Sequence, residues 1–193
     1  MQVINVTGAK MKIREMTSDD FPSFRELYYD VNGYNRSEAL DSWRLLETPN
    51  GICPTAVAED DGRLAGFYTI WPVEIRLGDE TVLGGQSMDT MTHPNYRRQG
   101  LFTKLALFCY EIAAKKGYEI LYGFPNSFSY PGFIRRLNWD HTGDISLWVR
   151  PIKPSSHPKV PRIVGPFMDI AMKLIPKGAR GDYLLRTGKP SDK

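Results

Sequence analysis

The segment over residues 91–104 places a glycine, two arginines and a hydroxyl side chain just before an apolar helical pattern. The first turn of a helix carries unpaired backbone N–H groups and a partial positive charge, so it attracts phosphate. Gly100 leaves room for a phosphate, Arg97 and Arg98 add positive charge, and Thr103 offers a hydroxyl donor. The pattern indicates an anion-binding helix start, and the alternative is an ordinary helix start with solvated arginines.

Two other phosphate motifs are excluded, because the segment contains neither the GxxxxGK[ST] pattern of a P-loop nor the GxGxxG pattern of a dinucleotide fold. Instead, RRQGLF over residues 97–102 resembles the pyrophosphate-binding motif of the GNAT superfamily of N-acetyltransferases, usually written [Q/R]-x-x-G-x-[G/A]. Arg97 and Gly100 fill its first and fourth positions, and Phe102 departs from the usual small residue. The preceding THPNY, residues 92–96, is similar to that family's strand end, and the resemblance covers residues 12–150.

The resemblance implies that acetyl-coenzyme A (acetyl-CoA) is the acyl donor and that a primary amine is the acceptor. Residues 122–133 are similar to GNAT members associated with bacterial surface-polysaccharide gene sets, so an amino sugar is the first expected acceptor. It further implies that backbone groups of Thr90, Met91 and Thr92 pair with the pantetheine arm, and that Asn126 begins a helix near that arm. The pyrophosphate would be held next to Arg97 by backbone amides of Arg98, Gln99, Gly100, Leu101, Phe102 and Thr103.

Tyr130 and Asp89 are the candidate catalytic residues. By the same resemblance, Tyr130 matches the tyrosine after the fifth strand that often protonates the departing thiolate in GNAT enzymes. Asp89 precedes the loop and is the candidate base for the attacking amine, with His93 and Glu74 as weaker choices. The alternatives are a packing tyrosine and an aspartate that is solvated or hydrogen-bonded at a strand end.

The sequence predicts no metal site, because Cys53 and Cys109 lack ligand-like neighbours at metal spacing. An apolar run of about 20 residues, which a membrane-spanning helix needs, does not occur, and the first residues lack a secretory pattern. A cytoplasmic protein is therefore expected.

The elements that must position these residues follow from the hydrophobic patterns. We predict a strand at residues 12–16, a helix that starts near Thr17 and a second helix over residues 37–46. An antiparallel run of strands follows over residues 55–92, with strands at 55–58, 64–73, 74–77, 80–83 and 84–92. A helix over 101–116, a strand over 119–124, a short helix over 126–137 and a last strand over 144–149 follow. The fold class is α+β, a GNAT-like and mostly antiparallel mixed sheet flanked by helices, with a central β-α-β acyl-CoA-binding unit.

We assign residues 1–150 to the acyltransferase domain and residues 151–193 to a proline-rich linker with an apolar and basic tail. The domain carries 19 acidic and 16 basic residues, whereas the tail carries 3 acidic and 9 basic residues, so the net positive charge belongs to the tail. Nucleic-acid binding is not expected of the domain. The apolar stretch 162–175 predicts a helix that docks at an interface, in a homodimer or with a missing C-terminal region. Packing on its own domain and, less favoured, a membrane surface are the alternatives.

Two other functions remain open from the sequence. A GNAT-like fold can bind acyl-CoA without catalysis, as a sensor or as one half of a larger protein. The basic tail alone would fit a binder of nucleic acid or anionic membranes.

Overall fold

The computed structural model describes residues 2–6, 9–145, 155 and 161–174. This part of the chain contains six strands: β1 (Gln2–Val6), β2 (Ala9–Glu15), β3 (Thr55–Asp60), β4 (Arg63–Leu77), β5 (Glu80–Thr92) and β6 (Ile120–Gly123). Its α-helices are α1 (Phe21–Asn32), α2 (Glu38–Leu46), α3 (Leu101–Lys115), α4 (Tyr130–Arg136) and α5 (Gly165–Leu174).

The six strands form one sheet in chain order. Neighbours from β1 to β5 are antiparallel, whereas β6 lies parallel to β5. A parallel neighbour requires a crossover connection, and α3 supplies it. The predicted mixed sheet with a central β-α-β unit is therefore confirmed.

Local signals at the ends of the first two helices agree with the sequence prediction. The Asp20 carboxylate accepts a hydrogen bond from the backbone N–H of Thr17 at 2.7 Å, just before α1 begins. Gly33 ends α1 in the left-handed region at φ +77°. Ser37 caps α2, because its Oγ accepts a hydrogen bond from the Leu40 N–H at 3.3 Å.

Helices cover both faces of the sheet, and the alternation of side chains along each strand fills two separate cores. On one face Leu105 and Cys109 of α3 pack with Ala56 and Ala58 of β3. On the other face, Val57 packs with Phe24 and Leu27 of α1 and with Phe67 of β4. The central strands are thus covered on both sides.

Three element predictions require correction. Residues 64–77 and 80–92 were each expected to divide into two strands, after Val73 and before Gly84. Instead β4 and β5 are single long strands that pair from Gly66–Thr92 to Leu77–Glu80 with one register shift, between Phe67 and Thr69. A Cβ at Gly85 would lie 2.2 Å from Ile70 Cγ2, so that glycine permits close packing within the sheet. Strand β1 was not predicted. Of the expected last strand, Asp144 and Ile145 are not in a strand, and residues 146–149 lie outside the described residues.

The chain divides into two compact units, residues 1–141 and 142–193. The first contains the whole sheet together with α1–α4, and the second contains α5. Within the second unit, the Asp169 carboxylate accepts hydrogen bonds from the backbone N–H and the hydroxyl of Ser155. Among the described residues, no helix has the length and apolar character needed to cross a membrane.

Candidate active site

The pairing of β5 with β6 ends several residues before β5 itself ends. Their parallel pairing runs from Gly84–Ile120 to Ser87–Gly123, and β5 then continues to Thr92 while β6 has ended. On its other edge β5 remains paired with β4 as far as Thr92. Within the described part of the chain, residues 88–92 therefore present one backbone edge without a strand partner, and an extended ligand can add to such an edge.

A buried chain of hydrogen bonds lies at the point of separation. The Tyr68 hydroxyl lies 2.6 Å from Ser87 Oγ and 2.9 Å from the Tyr110 hydroxyl, which also accepts a bond from Trp139 Nε1 at 3.1 Å. Burial raises the pKa of Tyr68, so this phenol stays protonated and acts as a hydrogen-bonding group. The Trp139 ring in turn lies beside Gly123, the last residue of β6. The network therefore holds the residues at which the β5–β6 pairing ends.

A β-bulge shapes the open edge of β5. Phe67 pairs with Met91 whereas Thr69 pairs with Met88, so β5 contains one residue more than β4 over this stretch. Asp89 lies in this bulge and adopts left-handed backbone at φ +49°, an unusual value for a residue other than glycine. The bulge re-aims the backbone of Thr90 and Met91, two of the residues predicted to pair with a pantetheine arm.

The loop after β5 leads directly into α3. Its own side chains hold it, because Arg97 Nε donates to the Thr92 carbonyl at 3.4 Å and Gln99 Nε2 donates to the Asn95 carbonyl at 3.2 Å. Arg98 and Gly100 both adopt left-handed backbone, at φ +63° and +75°. Gly100 is the N-cap residue and provides no side-chain cap, so the backbone amides of the first turn remain available to an anion.

The first turn of α3 also corrects one detail of the prediction. The hydroxyl of Thr103 is buried and has no hydrogen-bond partner among the described residues, so it does not project into the loop. Only the backbone amide of Thr103 remains as a candidate phosphate donor. Leu101 is likewise buried in the core and contributes by its amide alone.

Asn126 starts the turn that leads to α4. Its Oδ1 accepts hydrogen bonds from the backbone N–H groups of Phe128 and Ser129, both at 3.0 Å, and its carbonyl accepts from the N–H of Tyr130 at 2.9 Å. The helix was expected to begin at Asn126 but begins at Tyr130. In this arrangement the Asn126 side chain sets the position of Tyr130.

Tyr130 is the first residue of α4, and its ring is 38% exposed. Its hydroxyl lies 2.6 Å from Nδ1 of His141, and the two rings meet edge to face with centroids 5.6 Å apart. His141 belongs to none of the motifs in the sequence. No spacing rule links a helix start to a loop residue eleven positions later, so only the structure reveals this pair.

Asp89 stands between two guanidinium groups. Its Oδ2 lies 2.8 Å from Arg36 Nη1 and 3.0 Å from Arg44 Nη2, and Arg36 Nε donates to Asp41 at 2.7 Å. Burial opposes the charge on Arg36, but its hydrogen bonds with Asp89 and Asp41 outweigh that effect and raise the Arg36 pKa. Both ion pairs occupy the same carboxylate oxygen, which favours a structural role for Asp89 over the predicted role as general base. The contacts instead tie α2 to the bulge.

His93, a weaker choice for the base, and Tyr28 of α1 both have defined contacts. His93 Nδ1 accepts a bond from the Asn95 N–H at 3.2 Å, and Nε2 lies 3.4 Å from Asp30 Oδ2, so His93 holds the turn after β5. Burial raises the pKa of Tyr28 to about 12, and its hydrogen bond with Tyr34 is the second largest cause of that rise. The Arg36 guanidinium lies 4.4 Å from the centre of the Tyr28 ring, so both tyrosines flank the arginine network.

Comparison with known protein families now decides the assignment. The family model described as an acetyltransferase (GNAT) domain matches residues 12–142. The chain belongs to the GNAT family. Sequence comparison with curated proteins finds no match.

Solved GNAT structures share this fold at low sequence identity. The aminoglycoside N-acetyltransferase AAC(6')-Iy in complex with CoA aligns with a TM-score of 0.59 and 16% identity, over 74% of this chain and 96% of that one. An acetyltransferase from Trypanosoma brucei aligns with a TM-score of 0.56 and 21% identity, over 72% and 99%. An aminoglycoside acetyltransferase from an uncultured soil metagenomic sample, in complex with sisomicin, aligns with a TM-score of 0.56 and 18% identity, over 74% of this chain and 97% of that one.

The structure accounts for the one departure from the GNAT motif. The Phe102 ring contacts the Phe133 ring of α4 at a centroid distance of 5.3 Å and the Tyr68 ring at 6.1 Å. A Cβ on Gly132 would lie only 2.8 Å from Phe102 Cε1, so α4 accepts the large side chain by lacking one of its own. Phe102 thus packs against α4 and leaves its amide in the first turn of α3.

Proposed function

We propose that this GNAT domain is an N-acetyltransferase that passes an acetyl group from acetyl-CoA to a primary amine by direct attack in a ternary complex. The observation that carries the proposal is the open edge of β5, which leads straight into a helix start with available amides. An extended chain ending in a pyrophosphate matches both features, because its amide-containing arm can pair with a strand and its phosphates with a helix N-terminus. CoA has that chemistry.

The pantetheine arm would lie along the backbone of Thr90, Met91 and Thr92, as predicted from the family resemblance. The pyrophosphate would bind the amides of residues 98–103, with Arg97 and Arg98 adding positive charge. Asn126 would act indirectly, since its side chain already holds the turn before Tyr130.

In the chemical step the amine nitrogen attacks the thioester carbonyl, and the carbonyl oxygen gains negative charge. A backbone N–H near Met91 or Thr92 would stabilise that oxygen. Collapse of the intermediate breaks the C–S bond, and Tyr130 would give its phenolic proton to the departing sulfur. The amine must lose a proton, which water would carry away, because Asp89 is committed to Arg36 and Arg44.

The acceptor would approach from the face that carries α1 and α2. An open groove of about 1150 Å³ lies on that face, with carboxylates from Glu26, Asp30 and Glu38 and aromatic rings from Phe21 and Tyr29. Asp30 also lies 3.4 Å from His93, one residue beyond the end of β5. Arg25 and Arg63 line the groove as well, and Glu38 lies 3.8 Å from Arg25, so the groove carries both charges. An amino sugar, which combines a cationic group with hydroxyl groups, remains the first candidate to be tested.

An acceptor screen tests the proposal. Purified protein and acetyl-CoA are incubated with amino sugars, aminoglycosides, polyamines and amino acids, and free thiol is measured over time. We expect thiol release that depends on one class of amine, with the acetylated product detected by mass spectrometry. Tight CoA binding without amine-dependent thiol release across these classes would favour the alternative, a non-catalytic acyl-CoA-binding module.

A further inference from the structure

Tyr130 lies within hydrogen-bonding distance of a second group that exchanges protons. The phenol oxygen and His141 Nδ1 are 2.6 Å apart, and both side chains are exposed. Imidazole nitrogen acts as an acceptor when neutral and as a donor when protonated, so the same contact serves a phenol or a phenolate. This pair lies at the N-terminal end of α4, and Phe133 of that helix packs against Phe102 of α3.

Proton donation by Tyr130 leaves a phenolate, which must be protonated again before the next turnover. We infer that His141 performs this step and also orients the Tyr130 phenol, a role that rests on the proposed acetyl transfer. The Tyr130 O–H bond breaks as the S–H bond of CoA forms. The phenolate then takes the proton from Nδ1–H of protonated His141, and the imidazole regains a proton from solvent. The proton released by the amine returns to solvent, so the cycle balances.

The contacts around the pair support a positioning role. Asn126 fixes the backbone at Tyr130 from one side through the Tyr130 N–H. Trp139, two residues before His141, is fixed by its ring contact with Phe133 at 4.7 Å and by its bond to the Tyr110 hydroxyl. The Tyr130 end of the contact is held by α4, and the His141 end is held through Trp139 by both α4 and Tyr110 of α3.

The test compares His141→Ala with the parent chain, using acetyl-CoA and the acceptor found in the screen. We expect kcat to fall about tenfold or more while the KM for acetyl-CoA and the melting temperature stay near the parent values. Added imidazole should restore part of the lost kcat in His141→Ala. In a Tyr130→Phe background, His141→Ala should cause no further loss, because no phenolate forms. Asp140→Ala, an exposed neighbour, is the matched control and should leave kcat unchanged.

The outcomes separate the two proposals. If the parent transfers acetyl groups and His141→Ala keeps the parent kcat, the relay is overturned and the proposed function stands. The relay is also overturned if adding His141→Ala to Tyr130→Phe lowers kcat further and imidazole restores none of the loss. His141 would then act only on structure. If the parent releases no thiol with any amine, the proposed function itself fails and the relay with it.

Discussion

The ring of Phe102 lies against Gly132, at a distance that leaves no room for a side chain on the glycine. One helix thus begins with a residue larger than its family motif expects, and the facing helix compensates with the smallest residue. The two positions should be energetically coupled, because neither can change size without affecting the other.

Gly132→Ala should destabilise the protein, although alanine is the better helix former by about 1 kcal/mol. The new methyl group would overlap Phe102 Cε1, and overpacking of this kind costs about 1–3 kcal/mol. In a Phe102→Ala background the same change should instead be neutral or stabilising, because the ring is gone. Urea denaturation of the four proteins measures the free energies of unfolding. The same loss from Gly132→Ala in both backgrounds would contradict the coupling.

Gly100→Val should weaken CoA binding by tenfold or more, about 1.4 kcal/mol or greater. A Cβ at Gly100 has nothing within 4 Å, so the new side chain projects into the space proposed for the pyrophosphate. Valine is also strained at φ +75°, which lowers stability whatever the ligand does. Gly78→Val is the control, since Gly78 has φ +62° and open space in the turn between β4 and β5. Calorimetric titration with CoA should show weaker binding for Gly100→Val than for Gly78→Val. Equal CoA affinity in the two variants would contradict the assignment of this loop to the CoA site.

Tyr130→Phe should lower kcat by about 10²–10⁴-fold, the usual contribution of a general acid. The dissociation constant for CoA should change less than threefold, because the variant keeps the ring and loses only the hydroxyl. Steady-state kinetics with the best acceptor, together with equilibrium titration of CoA, provide both values. An unchanged kcat would show that Tyr130 serves packing alone.

Asp89→Asn should act mainly on stability. The change keeps the shape of the side chain but removes the charge that faces Arg36 and Arg44, and hydrogen bonds to charged groups contribute about 1.5–3 kcal/mol. We expect a loss of that order in the free energy of unfolding and a fall in kcat of less than about tenfold, compared with the 10²–10⁴-fold loss of a missing base or acid. Asp79→Asn is the control, because Asp79 is fully exposed and lies 3.7 Å from Arg76. A large loss of kcat with full stability would restore Asp89 as the base.

The C-terminal helix α5 should mediate self-association, one of the two interfaces predicted for the stretch 162–175, the other being a missing C-terminal region. Phe167 is 71% exposed and Ile170 is 57% exposed, and exposed apolar side chains on one short helix favour burial against a second surface. Sedimentation of the full chain should show a dimer, and the double variant Phe167→Glu with Ile170→Glu should be monomeric. A monomeric parent chain would contradict this prediction.

Local signals in the sequence were sufficient for much of the fold. The sequence indicated helix starts at Thr17 and Ser37. It also indicated the candidate phosphate site in the loop that ends at Gly100, because each of these signals lies within a few residues of its effect. The long partners β4 and β5 were divided wrongly because the role of Gly85 depends on Ile70, a packing neighbour fifteen residues earlier. The side-chain contacts of the candidate site could not be predicted from the sequence for the same reason, because they join residues that are far apart in the chain. Asp89 meets Arg36 across 53 residues, and no pattern in the chain specifies that pairing.

The bulge at Asp89 has a further consequence for the free protein. An exposed strand edge is a template for pairing with strands of other chains, and among the described residues β5 has no strand partner on one edge beyond Ser87. A regular strand from a neighbouring molecule would need to follow that edge in register, but the extra residue and the left-handed backbone at Asp89 interrupt the spacing of its hydrogen-bonding groups. A narrow ligand with only a few amides forms few hydrogen bonds to the edge, so it does not need the regular spacing that a whole strand requires. We therefore expect the irregularity to disfavour edge-to-edge aggregation while leaving the edge available to a ligand.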